Sequence, residues 1–204
     1  MEQTEGMSPR TAVQNAQIRD ERRDEILEAA LGVFARRGLE ATRIADIAEA
    51  AGMSHGLVYR YFPSKEAVFM ALVERAVRGG VTLTEEAVSG SSSSPGYRLK
   101  RLIQQMLDGI ETHPEYSLII IQFYAASPAP LDSGSLIDQY DKQTQRNVAR
   151  LIRFAQNSLE LRDGNPDELA TLLLATVQGL AVGRLEARRR RLPRADTLFK
   201  LFSR

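Results

Sequence analysis

Between Gly38 and Ser64 the chain is punctuated so densely that only short elements fit. Within the stretch Thr42–Lys65, Gly52, Ser54, Pro63 and Ser64 divide the residues into two short helical segments around a tight turn, with a third helix opening behind them. Thr42 reads as an N-cap, its hydroxyl able to accept from an orphan backbone N–H. Ile44, Ile47, Ala48 and Ala51 follow at helical spacing and make one apolar face. Gly52 can take the left-handed conformation that ends a helix. Ser54 opens the second helix, Pro63 stops it, and Ser64 caps the next. Two short helices joined by a Gly-containing turn make a helix-turn-helix unit.

The second of these helices has an unusual surface. Val58 and Phe62, four apart, can face inward, which leaves His55, Gly56, Leu57, Tyr59, Arg60 and Tyr61 to share the outside. A solvated face would carry Glu and Lys; this one suits a partner. Gly56 weakens a helix by about 1 kcal/mol relative to Ala, which makes sense where a backbone or a base must come close. The capped start at Ser64-Lys65, where free N–H groups and an ammonium converge, suits a phosphate. The alternative at this point is an ordinary helical hairpin with packed tyrosines.

The pattern Gly38-Leu39-Glu40-Ala41-Thr42, Asp46-Ile47-Ala48, Ala51-Gly52-Met53-Ser54, Gly56, Tyr59-Arg60-Tyr61-Phe62 and Ser64-Lys65-Glu66 resembles the N-terminal signature of the tetracycline-repressor (TetR) family, over residues 22–76. His55 stands where the family often has Lys, and Leu57 where it often has Thr. Both are recognition-helix positions, so the resemblance carries over a binding mode and not a target sequence. It implies an all-α homodimer, with an N-terminal three-helix helix-turn-helix domain followed by a C-terminal helical ligand-binding and dimerisation bundle.

Charge does not announce this on its own. The chain has 204 residues and a formal net charge of +1. Residues 1–80 hold 11 basic and 12 acidic side chains, whereas a DNA-binding domain usually has a basic footprint. The reading therefore rests on local placement, with Arg43, Arg60, Lys65 and helix N-termini on one side. The most basic segment is residues 184–204, with 8 Lys or Arg against 2 acids and a run from Arg188 to Arg191. Such runs are generic, and a solvated helix end accounts for it better than a second nucleic-acid patch. With no cysteine there is no disulfide, thiolate metal site or Cys nucleophile, as fits a cytoplasmic protein. The N-terminus lacks the order of a signal peptide, and no continuous apolar run approaches the about 18 residues of a membrane span.

Taken in order, residues 1–17 read as a disordered arm; Arg10 and Arg19 could touch a DNA backbone, but tails of this composition usually do nothing so specific. The DNA-binding domain covers 18–66, beginning with a bracing helix from Ile18 to Arg37 whose stripe is Ile26, Leu27, Ala30, Val33 and Phe34, and which Gly38 ends. A connecting helix over 64–86 carries Gly79-Gly80, which mark an early end or a joint; the Ser-rich stretch 89–96 reads as a linker, placing the boundary near 80–96. The ligand-binding and dimerisation domain, 81–204, reads as helices around Leu99–Ile110, after Pro114, from Leu136, over Leu169–Leu185 and over Leu198–Phe202. Leu118–Ile121 alone permits a buried strand, but nothing else offers to pair with it. Ala126–Gly134 is a loop.

Nothing calls for a catalytic site, cofactor or metal: the histidines are His55 and His113, and neither sits in a paired-carboxylate motif. The rival to a regulator is a helical adaptor without sequence-specific DNA binding. Carried over from the resemblance, Thr42, Arg43, Ser54, Tyr59, Tyr61 and Lys65 would meet phosphates or sugars, and His55, Gly56, Leu57 and Arg60 would lie nearest base edges of a double-stranded operator. Leu169, Leu172, Leu173, Ala175, Thr176, Gly179, Leu180 and Gly183 would form the homodimer interface. A two-fold dimer would set its recognition helices about 34–36 Å apart, or a multiple, on a palindrome. The family implies a cavity near Met106, Ile110, His113, Tyr116, Ile120, Phe123, Tyr124, Asn147, Leu151, Phe154 and Gln178. These are mostly apolar with a few polar tips, as a small-molecule site requires, so the expected effector is neutral or largely hydrophobic.

Overall fold

Apolar side chains recur at three- and four-residue spacing along most of the chain. The structure, a computed structural model describing residues 12–126, 135–186 and 191–204, turns each such run into a helix. Among the described residues these are α1 (Ala12–Ala41), α2 (Ile44–Ala50), α3 (His55–Tyr61), α4 (Lys65–Ser89), α5 (Pro95–Thr112), α6 (Pro114–Ala126), α7 (Leu136–Asn157), α8 (Pro166–Glu186) and α9 (Ala195–Lys200). The fold is all-α, and Leu118–Ile121 is helical within α6. Among the described residues, extended backbone pairs at the bridge between Leu161 and Ser203, where the Arg162 N–H donates to the Phe202 carbonyl at 3.0 Å.

The chain packs as two units, Met1–Phe69 and Met70–Arg204, which divide inside α4 rather than at residues 80–96. The reason is visible in the first unit: Val68 and Phe69 are buried, and Phe69 meets Phe34 of α1 edge to face at 5.3 Å. The opening turn of α4 thus belongs to the core of the head. Around it Ile26, Leu27, Ala30, Val33 and Phe34 are buried as their spacing requires, with Ile47, Ala48, Val58 and Phe62. Gly38 (φ 74°) breaks α1 as expected, and Gly52 (φ 63°) holds the left-handed turn between α2 and α3.

Two expectations give way. Residues 12–17 are helical, not part of an arm: no proline or glycine separates them from the buried turns of α1, and Gln17 donates to Glu21 one turn on (3.1 Å). Gly79-Gly80 do not interrupt α4, which runs unbroken to Ser89. The helix is held just past the pair, where the buried Thr84 hydroxyl donates back to Val81 and accepts from Asn147 of α7 at 3.1 Å. Residues 1–11, residues 127–134, where a loop was expected, and Arg188–Arg190 lie outside the described residues.

In the second unit, α5, α7, α8 and α9 bury Leu99, Leu102, Ile103, Leu107, Val148, Leu151, Ile152, Leu169, Leu173 and Leu198 in one core. Ser94 caps α5, accepting from the Tyr97 N–H (3.3 Å), and donates to Glu160 (2.6 Å), which also accepts from the Gly96 N–H (3.2 Å). A Cβ at Gly96 would lie 2.6 Å from that carboxylate, so this tie requires glycine. Lys100 of α5 pairs with Asp196 of α9 at 2.6 Å.

Candidate nucleic-acid interface and effector groove

The interface is built from a seven-residue helix with one anchor. Ser54 caps α3 by accepting from the Leu57 N–H (3.2 Å), and Val58 fixes the helix to the core with no exposed surface. His55, Gly56, Tyr59 (54% exposed) and Arg60 then face outward, with Leu57 and Tyr61 half-buried beside them. Gly56 is the informative member. Its φ is not positive, and a Cβ placed on it would meet nothing within 4 Å. Neither the backbone nor a neighbour of this chain demands glycine there.

Arg43, not Thr42, is the N-cap of α2, and its side chain is exposed at the start of that helix. Asp46 closes the turn, accepting from the Arg43 N–H (2.8 Å) and from the Arg37 guanidinium. The Arg43 N–H, and then Arg37, hold the Asp46 carboxyl below the usual carboxylate range. Thr42 is fully buried and its hydroxyl donates to the Gly38 carbonyl (2.6 Å), so both the capping role and the phosphate contact expected of it are corrected. Lys65 also has other work. Its ammonium donates to the Leu39 and Glu40 carbonyls (2.9 and 2.8 Å), tying the start of α4 to the end of α1 and leaving one of its three N–H donors for a phosphate. Arg23 of α1 lies over the Phe62 ring, 4.3 Å from its centroid. This brings a recess lined by Asn15, Arg19, Asp20 and Arg23 beside the end of α3. Arg23 lies one turn beyond Arg19 on the same face of α1.

In the second unit, two adjoining hollows of about 430 and 460 Å³ share Ala76, Ile110, Tyr116, Ser117, Val177 and Gln178, and so form one groove between α4, α5, α6 and α8. One end adds Ile120, Ile121, Tyr124, Ala181 and Val182; the other adds Arg75, Gly79, Met106, Gly109, His113 and Leu174. Met106, Ile110, His113, Tyr116, Ile120, Tyr124 and Gln178 are thus brought together as their sequence positions suggested. Phe123, Asn147, Leu151 and Phe154 are not. Leu151 is core, Asn147 is engaged by Thr84 and Gln143, Phe123 is buried against Tyr124, and Phe154 lies under Arg150. The Tyr124 hydroxyl donates to Asp141. Burial, then Asp141, push this phenol well above its ordinary range, so it stays protonated; burial also pushes the Asp141 carboxyl up, against the pull of the Tyr124 hydrogen bond.

The stripe on α8 divides. Leu169 and Leu173 are buried in the core of their own unit and are corrected from interface to core. Leu172 is 55% exposed, Ala175 and Gly179 are exposed, and Thr176, Leu180 and Gly183 are half-buried. By length and composition alone Pro166–Leu185 passes for a membrane span, with mean hydropathy 1.3, as a helix that supplies core residues such as Leu169 and Leu173 also does.

A helix-turn-helix head with an outward-facing second helix, followed by a helical body with an apolar groove, defines a class of two-part DNA-binding regulators. Residues 26–72 match the description "bacterial regulatory proteins, tetR family", and residues 95–198 match "BetI-type transcriptional repressor, C-terminal". The chain belongs to the tetR family of bacterial transcriptional regulators. It is 34% identical over 128 residues to the HTH-type transcriptional repressor KstR2 of Mycobacterium tuberculosis, a match spanning 61% of this chain and 62% of that relative. The solved structure of KstR2 superposes with a TM-score of 0.64 at 25% identity, covering 90% of this chain and 95% of the other. A transcriptional regulator from Saccharomonospora viridis, solved in complex with choline, superposes with a TM-score of 0.72 at 27% identity, covering 89% and 93%. This membership does not favour the helical-adaptor alternative.

Proposed function

We propose that the protein is a cytoplasmic transcriptional repressor that binds a palindromic double-stranded operator as a homodimer and releases it when a small, largely hydrophobic effector enters the groove of its body. The observation that carries the DNA-binding half is the surface of α3. It is held by a single buried anchor and presents His55, Gly56, Tyr59 and Arg60, which no packing within the chain explains. Arg60 suits a guanine edge and the half-buried Leu57 a thymine methyl. Arg43, Ser54, Tyr61 and, from α1, Arg19 supply contacts that set register on the phosphates without reading sequence.

The regulatory half is supported by the groove and by relatives named for small molecules: KstR2 is called a ketosteroid transcriptional regulator, and the Saccharomonospora protein was solved with choline. The groove is lined from α4, the helix that also supplies the opening turn of the head's core. An effector shifts a protein between states only through unequal affinity for them, and operator DNA must weaken effector binding by the same factor, typically about 5–150-fold.

In vitro selection from a random duplex pool tests the proposal. The expected product is an inverted repeat whose half-site centres lie about one helical turn, or a multiple of one, apart. A pool that shows no enrichment after repeated rounds, or enriches only sequences without two-fold symmetry, would remove the operator-binding dimer.

A further inference from the structure

The middle of the groove is apolar, from Ala76, Ile110 and Val177, but its polar side chains are not alike. Ser117 and Gln178 each carry a donor and an acceptor. Tyr124, at the end that Val182 also lines, does not. Its hydroxyl hydrogen is committed to Asp141 of α7, so what the phenol offers an occupant is an oxygen that accepts. The Phe123 ring stands edge to face against the Tyr124 ring, 5.5 Å between centroids, and helps to hold that oxygen in place.

The same hydrogen bond brings a charge to that end. Asp141 is half-buried, and the donation from Tyr124 favours its carboxylate form against the cost of burial. Among the described residues Asp141 pairs with no cation. The Lys142 ammonium, next to it in sequence, goes to Asp138 at 2.8 Å, and Asp138 is itself an acid that opposes the Asp141 charge. Residues 127–134, which follow α6, include no Lys or Arg. A half-buried carboxylate whose partner is a neutral hydroxyl keeps an uncompensated charge, and buried charges are ordinarily paired. Among the described residues no carboxylate lines either hollow directly, so this charge reaches an occupant through Tyr124. An accepting oxygen backed by an anion favours a cationic donor, because a charge-assisted hydrogen bond is the stronger one. A neutral hydroxyl would make the bond without meeting the charge, and an anion would do neither.

We infer that the effector is an apolar monoamine, bound in its protonated form, with its ammonium donating to the Tyr124 oxygen and its hydrocarbon body along Ile110 and Val177. Asp141 is the positioning residue, orienting the Tyr124 hydroxyl and supplying the charge behind it. This rests on the reading of the groove as the effector site and names the chemistry of what it takes.

The test uses the full chain at pH 7 and two amine–alcohol pairs of different shape: decan-1-amine with decan-1-ol, and adamantan-1-ylmethanamine with adamantan-1-ylmethanol. Each is titrated calorimetrically below any micelle concentration. The wild type is expected to bind the amine of at least one pair about tenfold or more tightly than its alcohol, the size of one hydrogen bond to a charged group. Asp141→Asn keeps an oxygen for the Tyr124 hydroxyl and removes the charge, so it should bring that pair close to parity with alcohol binding in place. Asp141→Glu should keep part of the preference. Tyr124→Phe should weaken the amine more than the alcohol. Ala76→Leu, where the two hollows meet, should weaken amine and alcohol together. Gln178→Trp, at an exposed position that lines both hollows, repeats that measurement if Ala76→Leu lowers the unfolding temperature. Equal binding of amine and alcohol by the wild type, a preference that survives Asp141→Asn or Tyr124→Phe, or no binding by either amine would overturn the inference while leaving the groove reading in place. Probe binding indifferent to both Ala76→Leu and Gln178→Trp would instead overturn the groove as the site, and the inference with it.

Discussion

Gly56 and Lys65 divide function from stability at single residues. Gly56 occupies a helix position where alanine meets no obstacle. Gly56→Ala should therefore stabilise the protein by up to about 1 kcal/mol, read as a raised unfolding midpoint, while weakening operator binding because the new methyl stands in the path of the DNA. A variant both more stable and undiminished in binding would show that no partner approaches there. Lys65 points the other way. Its two carbonyl contacts join α4 to the end of α1, and hydrogen bonds to charged groups are worth about 1.5–3 kcal/mol when shielded. For a half-buried ammonium, Lys65→Ala should cost about 1 kcal/mol of head stability, seen in thermal unfolding. A salt slope reduced by about one, with unaltered stability, would make Lys65 a phosphate contact rather than a tie.

Element by element, the caps and stripes were legible and the tertiary exchanges were not. Ser54 and Ser64 cap α3 and α4 as their positions predict, and Gly52 turns between α2 and α3. Thr42 misled because a hydroxyl before a helix can donate backward, here to Gly38, as readily as it can accept forward. Gly79-Gly80 misled because local propensity yields to packing: the Thr84–Asn147 bond holds α4 through the pair. The same bond removes Asn147 from the groove, and no periodicity in α7 could have revealed it. Arg75 lines the groove one turn from Gly79, where its neighbours Val73, Ala76 and Val77 suggested only a packing helix. At the start of α2, the depressed Asp46 carboxyl gives a pH test. A carboxylate whose folded value lies below its unfolded one, about 3.9, stabilises above that value and ceases to as pH falls through the folded value. Asp46→Asn should melt below the wild type at pH 7, and the gap should close as the pH is lowered through the carboxyl's depressed folded value. A gap that persists in acid would mean that the N–H contact does not depend on the charge.

At the scale of the whole molecule, α8 presents an apolar face that its own unit does not cover. Leu172 is its most exposed large side chain, and Ala175 and Gly179 beside it allow a second helix to approach closely. Leu172→Glu should convert a micromolar dimer to monomer in light scattering, and the groove should persist. A wild-type monomer at that concentration would contradict the two-fold arrangement on which palindrome reading depends. The central claim is that α3 reads duplex sequence. Fluorescence anisotropy against the selected duplex and a scrambled one, for wild type and Arg60→Ala at fixed salt, tests it most directly. The account predicts strong preference for the selected duplex, about 1–3 kcal/mol of it lost per bidentate contact removed in Arg60→Ala, with affinity for the scrambled duplex much less affected. Equal wild-type affinity for both duplexes, or an Arg60→Ala protein that keeps its full preference, would contradict it.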